Sequence, residues 1–205
     1  SITEVLTLLD DHVRTGRGTQ ILAGGTDVMV QMRSINREPR TIIDIKRLEE
    51  TNRFQIGPEH IYIGSAIPSV RMQENAELKS LYPGLLEAAD LIGSTQVQGR
   101  ATICGNLCNA SPAGDSIPAL IAAGALCDIA TPRGSRELAV EDFVTGVGQN
   151  ALADGEFLLG LKLRRPSAST KDAYLRFTPR TEMDIAVAGV GVSVTLEGSN
   201  CVAAR

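Results

Sequence analysis

The chain has 205 residues, 43% of them hydrophobic and 21% charged, a balance typical of a folded globular protein and not of a disordered one. The formal net charge of −4, with no block of Lys or Arg, disfavours binding to nucleic acid. The longest apolar stretches, 117–130 and 185–196, fall short of the ~20 residues that a membrane-spanning helix needs, so we expect no membrane span.

The N-terminal part of the chain predicts one helix followed by several strands. Ser1 and Glu4 have the spacing of a capping box, and apolar residues then recur at helical intervals, so the helix should end near Thr15–Gly16. Strands are predicted at 19–22, 41–45, 54–57 and 61–65, because each is rich in β-branched residues and bounded by turn formers.

The middle of the chain predicts helices, a hairpin and a further strand. Residues 67–93 should form two helical segments that separate near Tyr82–Gly84. Segments 126–131 and 135–140 flank Pro132–Gly134 and indicate a hairpin. The apolar segment 157–163 indicates another strand.

A cluster of Pro, Ser and Thr at 165–170 predicts a domain boundary, with one domain over 1–165 and a second beginning at 166–205. In the second domain, strands are predicted at 173–178 and 185–196, with a short helical turn at 181–186. A turn close to residue 205 indicates that the last strand lacks its partner, so we expect the second domain to be truncated.

The four cysteines indicate the cellular compartment of the protein and whether it binds a metal. Cys104, Cys108, Cys127 and Cys201 include no CxxC pair, which indicates a reducing cytoplasm and not a secreted disulfide framework. Their spacing matches no zinc or iron–sulfur motif, so we predict no metal site and interpret them as small buried hydrophobic residues. The chain also lacks the GxSxG and HExxH motifs, and we predict no catalytic residue.

Two glycine-bearing segments are candidates for binding phosphate. Gly24–Gly25 follow a predicted strand and precede a predicted helix start at Thr26–Asp27, where free N–H groups attract anions. A plain strand–turn–helix would carry the same residues. In the second segment, "ATICGNLCNASPAGDSIPALIA" at 101–122, Gly105–Asn106 predict another such turn, while Asp115 is well placed to cap the following helix. Two such loops could converge on one diphosphate.

These two segments resemble the FAD-binding medium subunit of molybdenum hydroxylases of the xanthine dehydrogenase and carbon monoxide dehydrogenase type. "AGGTD" at 23–27 and the segment 101–122 carry the resemblance, which extends over the whole chain through "IIDIKRL", "IYIGSAIPS", "FLLGLKL" and "AYLRFTPRTEMDIAVAGVGV". It implies the two-subdomain α+β FAD-binding fold of the vanillyl-alcohol oxidase (PCMH) type, followed by the start of the family's C-terminal α+β domain.

The resemblance also implies a role for individual residues. The backbone of the first loop would hold the FAD diphosphate, and the second loop would contact it as well. Short polar side chains would reach the sugar and ribityl hydroxyls, and three further residues would lie near the flavin ring. The first loop comprises Ile21, Leu22, Ala23, Gly24, Gly25, Thr26, Asp27 and Val28, and the second comprises Thr102, Cys104, Gly105 and Asn106. The short polar side chains are those of Asn109, Ser111 and Asp115, and the three residues near the flavin ring are Ile92, Leu158 and Arg176.

The chain departs from the family pattern at a few of these positions. Cys104 replaces a Gly, and its Cβ is expected to narrow the approach of phosphate. Gln98 and Gly99 replace a common Arg-Asn, and Arg176 stands where Lys is frequent, which could alter the flavin potential.

The family assignment implies partners. A molybdenum-bearing large subunit would hydroxylate substrate, a small subunit with 2Fe-2S clusters would relay electrons, and FAD in this chain would pass them to an external acceptor. Two alternatives remain open: a self-contained flavin oxidoreductase in which substrate meets the flavin directly, and a scaffold subunit that has lost its flavin.

Overall fold

The computed structural model describes residues 1–33, 40–180 and 184–205. The chain begins with helix α1, Ile2–Thr15, and the predicted capping box is present: the Ser1 hydroxyl accepts a hydrogen bond from the Glu4 N–H at 3.3 Å, and the Glu4 carboxylate binds the Ser1 amine. The helix ends at Gly16, whose φ of 69° is left-handed. Both ends therefore confirm the predicted helix.

A small parallel pair of strands follows α1. Strand β1, Gly18–Leu22, pairs with β2, Arg40–Asp44, and helix α2, Thr26–Gln31, begins between them. Val5 and Leu9 of α1 pack with Ile43 of β2 and with Phe157 from the larger sheet. The N-terminal layer is thus attached to the rest of the fold through a small apolar core of its own.

The central element is a five-stranded antiparallel sheet. Its strand order is β3-β4-β9-β5-β6, and a short two-stranded pair, β7-β8, lies beside it. The confirmed 126–139 hairpin supplies two neighbouring strands. The bounds are Phe54–Ile56 for β3, His60–Gly64 for β4, Leu126–Thr131 for β5, Gly134–Ala139 for β6, Val144–Gly146 for β7, Gln149–Asn150 for β8 and Phe157–Arg164 for β9, and a 3₁₀ turn covers Glu50–Asn52.

Short helices cover one face of this sheet and form the main core with it. Ile61 and Ile63 of β4 and Leu161 of β9 are fully buried there, with Leu85 and Leu107 from the helices. The helices are α3 Ser69–Gln73, α4 Ala76–Leu81, α5 Pro83–Asp90, α6 Thr95–Gln98, α7 Ile103–Asn109, α8 Ser116–Ala122 and α9 Val140–Phe143.

The predicted break near Tyr82 is confirmed, since α4 ends at Leu81 and α5 begins at Pro83, but the prediction of only two helical segments over 67–93 is wrong. Three helices are present, since Asn75 begins α4 by accepting a hydrogen bond from the Leu78 N–H at 2.8 Å. Pro83 does not lie in a gap between helices. It occupies the first turn of α5, where its missing N–H costs no helical hydrogen bond.

The last part of the chain is a three-stranded antiparallel sheet of β10 Thr170–Phe177, β11 Ala188–Glu197 and β12 Asn200–Ala204. The prediction that the strand before the final turn lacks a partner is wrong, because β12 folds back onto β11. The predicted helical turn at 181–186 falls in part on residues 181–183, which lie outside the described residues.

This C-terminal sheet packs closely on α5 and α8. A Cβ on Gly84 of α5 would lie 2.5 Å from the Ala173 Cα, and one on Gly191 of β11 would lie 2.4 Å from the Pro118 carbonyl oxygen. Tyr174 of β10 is buried in the main core. The division of the chain at residue 165 remains a prediction.

Candidate functional site

A cavity of about 580 Å³ lies between the β1–α2 turn, the start of α7 and the loop that precedes β9. Its volume is within the ~300–1,000 Å³ usual for cofactor sites. It brings together most of the residues that the sequence assigned to the cofactor: Ile21, Ala23, Gly24, Gly25, Thr26, Asp27, Val28, Ile92, Thr102, Cys104, Gly105, Asn106, Asn109 and Leu158.

The first glycine segment is locked against the second. A Cβ on Gly24 would lie 2.1 Å from the Arg100 carbonyl oxygen, so only glycine allows the two backbones to approach this closely. Gln31 at the end of α2 donates a hydrogen bond to the Asn109 side chain at 3.3 Å and joins the same two segments. Gly24 and these polar groups therefore fix the spacing of the cavity walls.

The turn at Gly24–Gly25 presents backbone donors. Gly25 has a φ of 81°, a conformation that glycine adopts without strain. The N–H groups of residues 24–28 donate to no residue in the described part of the chain. Several unpaired N–H groups in succession are the usual means of holding a phosphate.

The second segment is a helix start and not the predicted turn, since Gly105 and Asn106 lie inside α7. Thr102 caps this helix, and its hydroxyl accepts a hydrogen bond from the Gly105 N–H at 2.9 Å. Asn106 accepts one from the Ser116 hydroxyl at 2.7 Å, which holds α8 against α7.

Cys104 is a buried thiol. Its sulfur lies 4.0 Å from the Ile63 carbonyl oxygen, within the main core, and burial raises the pKa of the thiol well above its ordinary value. This placement directs the side chain toward the sheet and accounts for how a Cys is accommodated where the family pattern has Gly.

Four of the predicted residues, Leu22, Ser111, Asp115 and Arg176, do not line the cavity. The expectation that the Asp115 side chain caps α8 is wrong, because it bonds no N–H of that helix. It instead accepts hydrogen bonds from the Tyr174 hydroxyl at 2.9 Å and from Arg176 at 3.2 Å. Burial, and then this hydrogen bond, raise the pKa of Tyr174.

Arg176 connects this buried group to the cavity wall. Its guanidinium donates to the Leu91 carbonyl oxygen at 3.3 Å, and the next residue, Ile92, lines the cavity. Arg176, with Asp115 bound to it, is therefore linked to the cavity wall through the chain segment between α5 and α6.

A segment that the sequence reasoning missed, residues 148–156, contains strand β8 and the loop that follows it, and forms a further wall of the cavity. The Gly, Asn, Ala and Asp residues of this segment, between the predicted strands 135–140 and 157–163, are the sequence pattern that indicates a loop here. Asn150 donates to the Cys108 carbonyl oxygen at 2.9 Å and so ties the segment to α7.

The pair of Arg136 and Glu156, which we call the clamp, holds the other end of this segment. Arg136 donates to both carboxylate oxygens, at 3.0 and 2.7 Å, and to the Ala151 carbonyl oxygen at 2.9 Å. The Ala153 N–H also donates to Glu156, at 2.9 Å. The hydrogen bonds from Arg136 lower the pKa of Glu156. Such two-pronged pairing restricts the loop to one geometry.

Comparison with known proteins places this architecture in a family. Residues 1–165 match the family described as the FAD binding domain in molybdopterin dehydrogenase. The chain belongs to this family. The resemblance seen in the sequence, including the mixed helix-and-sheet FAD-binding fold, is therefore confirmed.

Relatives of the chain are found in several organisms. The chain is 31% identical over 180 residues to the nicotinate dehydrogenase FAD-subunit of Eubacterium barkeri, covering 86% of this chain and 61% of the relative. It is 29% identical to the xanthine dehydrogenase FAD-binding subunit of Escherichia coli O157:H7, covering 98% and 68%. The chain thus spans about three fifths to two thirds of these relatives.

A solved structure of the family has the same fold. Carbon monoxide dehydrogenase from Hydrogenophaga pseudoflava, in a form lacking the Mo-pyranopterin moiety of its cofactor, matches with a TM-score of 0.92 at 27% identity, over all of this chain and 70% of that chain.

Two features are absent from the described residues. These residues contain no helix with both the length and the apolar character that crossing a bilayer requires. Nor does this part of the chain gather three or more His, Cys, Asp or Glu side chains in an arrangement able to hold a metal.

Proposed function

We propose that this chain is the FAD-binding, electron-transfer part of a molybdenum hydroxylase, accepting electrons from the 2Fe-2S clusters of a partner subunit and passing them to an external acceptor. FAD supplies the capacity for both one- and two-electron transfer. The observation that carries the proposal is the contact between Gly24 and Arg100, which joins two donor-rich segments into one cavity in a chain of the FAD-binding domain family.

The residues that would hold the cofactor divide by their chemistry. The unpaired N–H groups of residues 24–28 suit a diphosphate, as does that of Cys104 near the start of α7, which donates to no described residue. The Asn109 amide suits a sugar hydroxyl. Ile92 and Leu158 offer apolar surface to the flavin ring. Of the residues predicted from the sequence, we propose direct contact only for those that line the cavity.

The remaining parts of the proposal concern partners and location. A large molybdenum-bearing subunit and a small 2Fe-2S subunit would complete the complex, and the subunit names of the relatives support such an assembly. A reducing cytoplasm suits the four free thiols.

The cavity chemistry bears on the alternative of a self-contained flavin oxidoreductase. Substrate oxidation at the flavin usually requires an acid or base beside the ring. The described residues that line the cavity include neither His nor Tyr, and of their three carboxylates, Asp27, Asp154 and Glu156, the last is bound to Arg136. This observation favours the electron-transfer role.

The test begins with FAD titration of the purified chain, followed by acid precipitation. We expect one FAD per chain, released completely into the supernatant. The described residues that line the cavity include no His, and burial raises the pKa of both lining thiols, Cys104 and Cys108, which disfavours the thiolate needed to tether a flavin. A chain that takes up no FAD would refute the proposal.

A second experiment separates the two functions. Substrates of molybdenum hydroxylases are mixed anaerobically with the FAD-loaded chain, and flavin bleaching is followed before and after the partner subunits are added. We expect bleaching only with the partners. Rapid bleaching without them would establish the self-contained alternative.

A further inference from the structure

One serine in the cavity wall has a buried hydroxyl without a partner. Ser65 follows strand β4, and its backbone N–H donates to the Leu159 carbonyl oxygen at 2.8 Å, so its position is fixed by the central sheet. The residue is 3% exposed and lines the cavity. Its side-chain oxygen makes no hydrogen bond within the described chain.

An unpaired buried hydroxyl is unfavourable, and folded proteins rarely retain one without a reason. The neighbouring Ser69 shows that this region can satisfy a buried serine: it is fully buried and its hydroxyl donates to the Ala101 carbonyl oxygen at 3.1 Å. Ser69 does not line the cavity, whereas Ser65 does. The contrast links the missing partner of Ser65 to the cavity.

We propose that the Ser65 hydroxyl binds FAD directly, through a hydrogen bond to a polar atom of the flavin ring system. The flavin end of FAD is the part expected there, because Ser65 is hydrogen-bonded to the residue after Leu158, which offers apolar surface for the ring. This inference rests on the proposed FAD site and adds a residue to it.

The test compares Ser65→Ala with Ser69→Ala in the full chain. For each variant, the melting temperature is measured without FAD, the dissociation constant is measured by FAD titration, and the visible spectrum of the bound flavin is recorded. Both changes remove one hydroxyl from a fully buried serine, so the pair is matched in size and burial.

Ser65→Ala should leave the melting temperature of the FAD-free chain unchanged or raise it, because the lost hydroxyl has no partner there. Its FAD affinity should fall by about tenfold, the equivalent of one hydrogen bond, and the flavin spectrum should shift. Ser69→Ala should lower the melting temperature and leave the FAD affinity and spectrum unchanged.

These measurements distinguish a failure of the proposed function from a failure of the Ser65 assignment. If the wild-type chain takes up no FAD, the proposed function is wrong. If wild type binds FAD and Ser65→Ala binds it equally tightly, or if Ser65→Ala destabilises the FAD-free chain as Ser69→Ala does, only the assignment of Ser65 is overturned.

Discussion

Replacing Gly24 with Ala tests whether the contact between the two glycine segments creates the FAD site. The added Cβ would lie 2.1 Å from the Arg100 carbonyl oxygen, 2.9 Å from the Arg100 carbonyl carbon and 3.1 Å from the Ala101 Cα. All three are backbone atoms, so no side chain can turn away. Relief requires the segments to separate by roughly 1 Å, and overpacking of this kind costs about 1–3 kcal/mol.

Gly16→Ala is the matched control. Gly16 has a φ of 69° and no atom within 4 Å of its would-be Cβ, so the substitution adds conformational strain alone, about 1–2 kcal/mol. Chemical denaturation should therefore show comparable losses of stability in the two variants. FAD titration should show at least tenfold weaker binding for Gly24→Ala and wild-type affinity for Gly16→Ala. Equal FAD affinity in Gly24→Ala and wild type would show that the close contact between Gly24 and Arg100 does not create the FAD site.

Two further predictions concern carboxylates. Glu156→Gln keeps a hydrogen-bond acceptor but removes the charge that holds Arg136, so FAD should bind severalfold more weakly. The control, Glu137→Gln, removes a charge from the exposed Glu137–Lys162 ion pair and should leave FAD binding unchanged. The pKa of Glu156 is lowered below 4.5, so the clamp contributes stability above that pH. The difference in unfolding free energy between the wild-type chain and Glu156→Gln should therefore shrink as the pH falls through the pKa of Glu156 in the folded chain. Asp172 has a buried oxygen without a described partner, and burial raises its pKa above 3.8. Its charged form therefore opposes folding, so Asp172→Asn should melt higher at pH 7, with the gain disappearing near pH 4; a lower melting temperature at pH 7 would contradict this account.

The local elements could be predicted from the sequence because their signals lie within a few residues. The capping box of α1 and the hairpin around Pro132–Gly134 are of this kind, and both formed as predicted. The two glycine segments could be recognised for the same reason, since glycines beside a helix start form a short pattern; they line one cavity, and their binding of phosphate stays a prediction.

Features that depend on distant packing could not be predicted in this way. Asp115 has the sequence position of a helix cap, but Tyr174 and Arg176 from the C-terminal sheet bind its side chain instead. Ser65 and the segment 148–156 reach the cavity only through the order of strands in the central sheet. No local pattern distinguishes Ser65 from Ser69.

The walls of the cavity come from segments far apart in the chain, from Leu9 in α1 to Leu158 in β9. Contacts between such distant residues form late in folding, because long loops must close first. A nascent chain that ends before residue 158 has no complete site to offer, so flavin uptake should follow closure of the central sheet. The appearance of protein-bound flavin during refolding would then report the time at which the central sheet has closed.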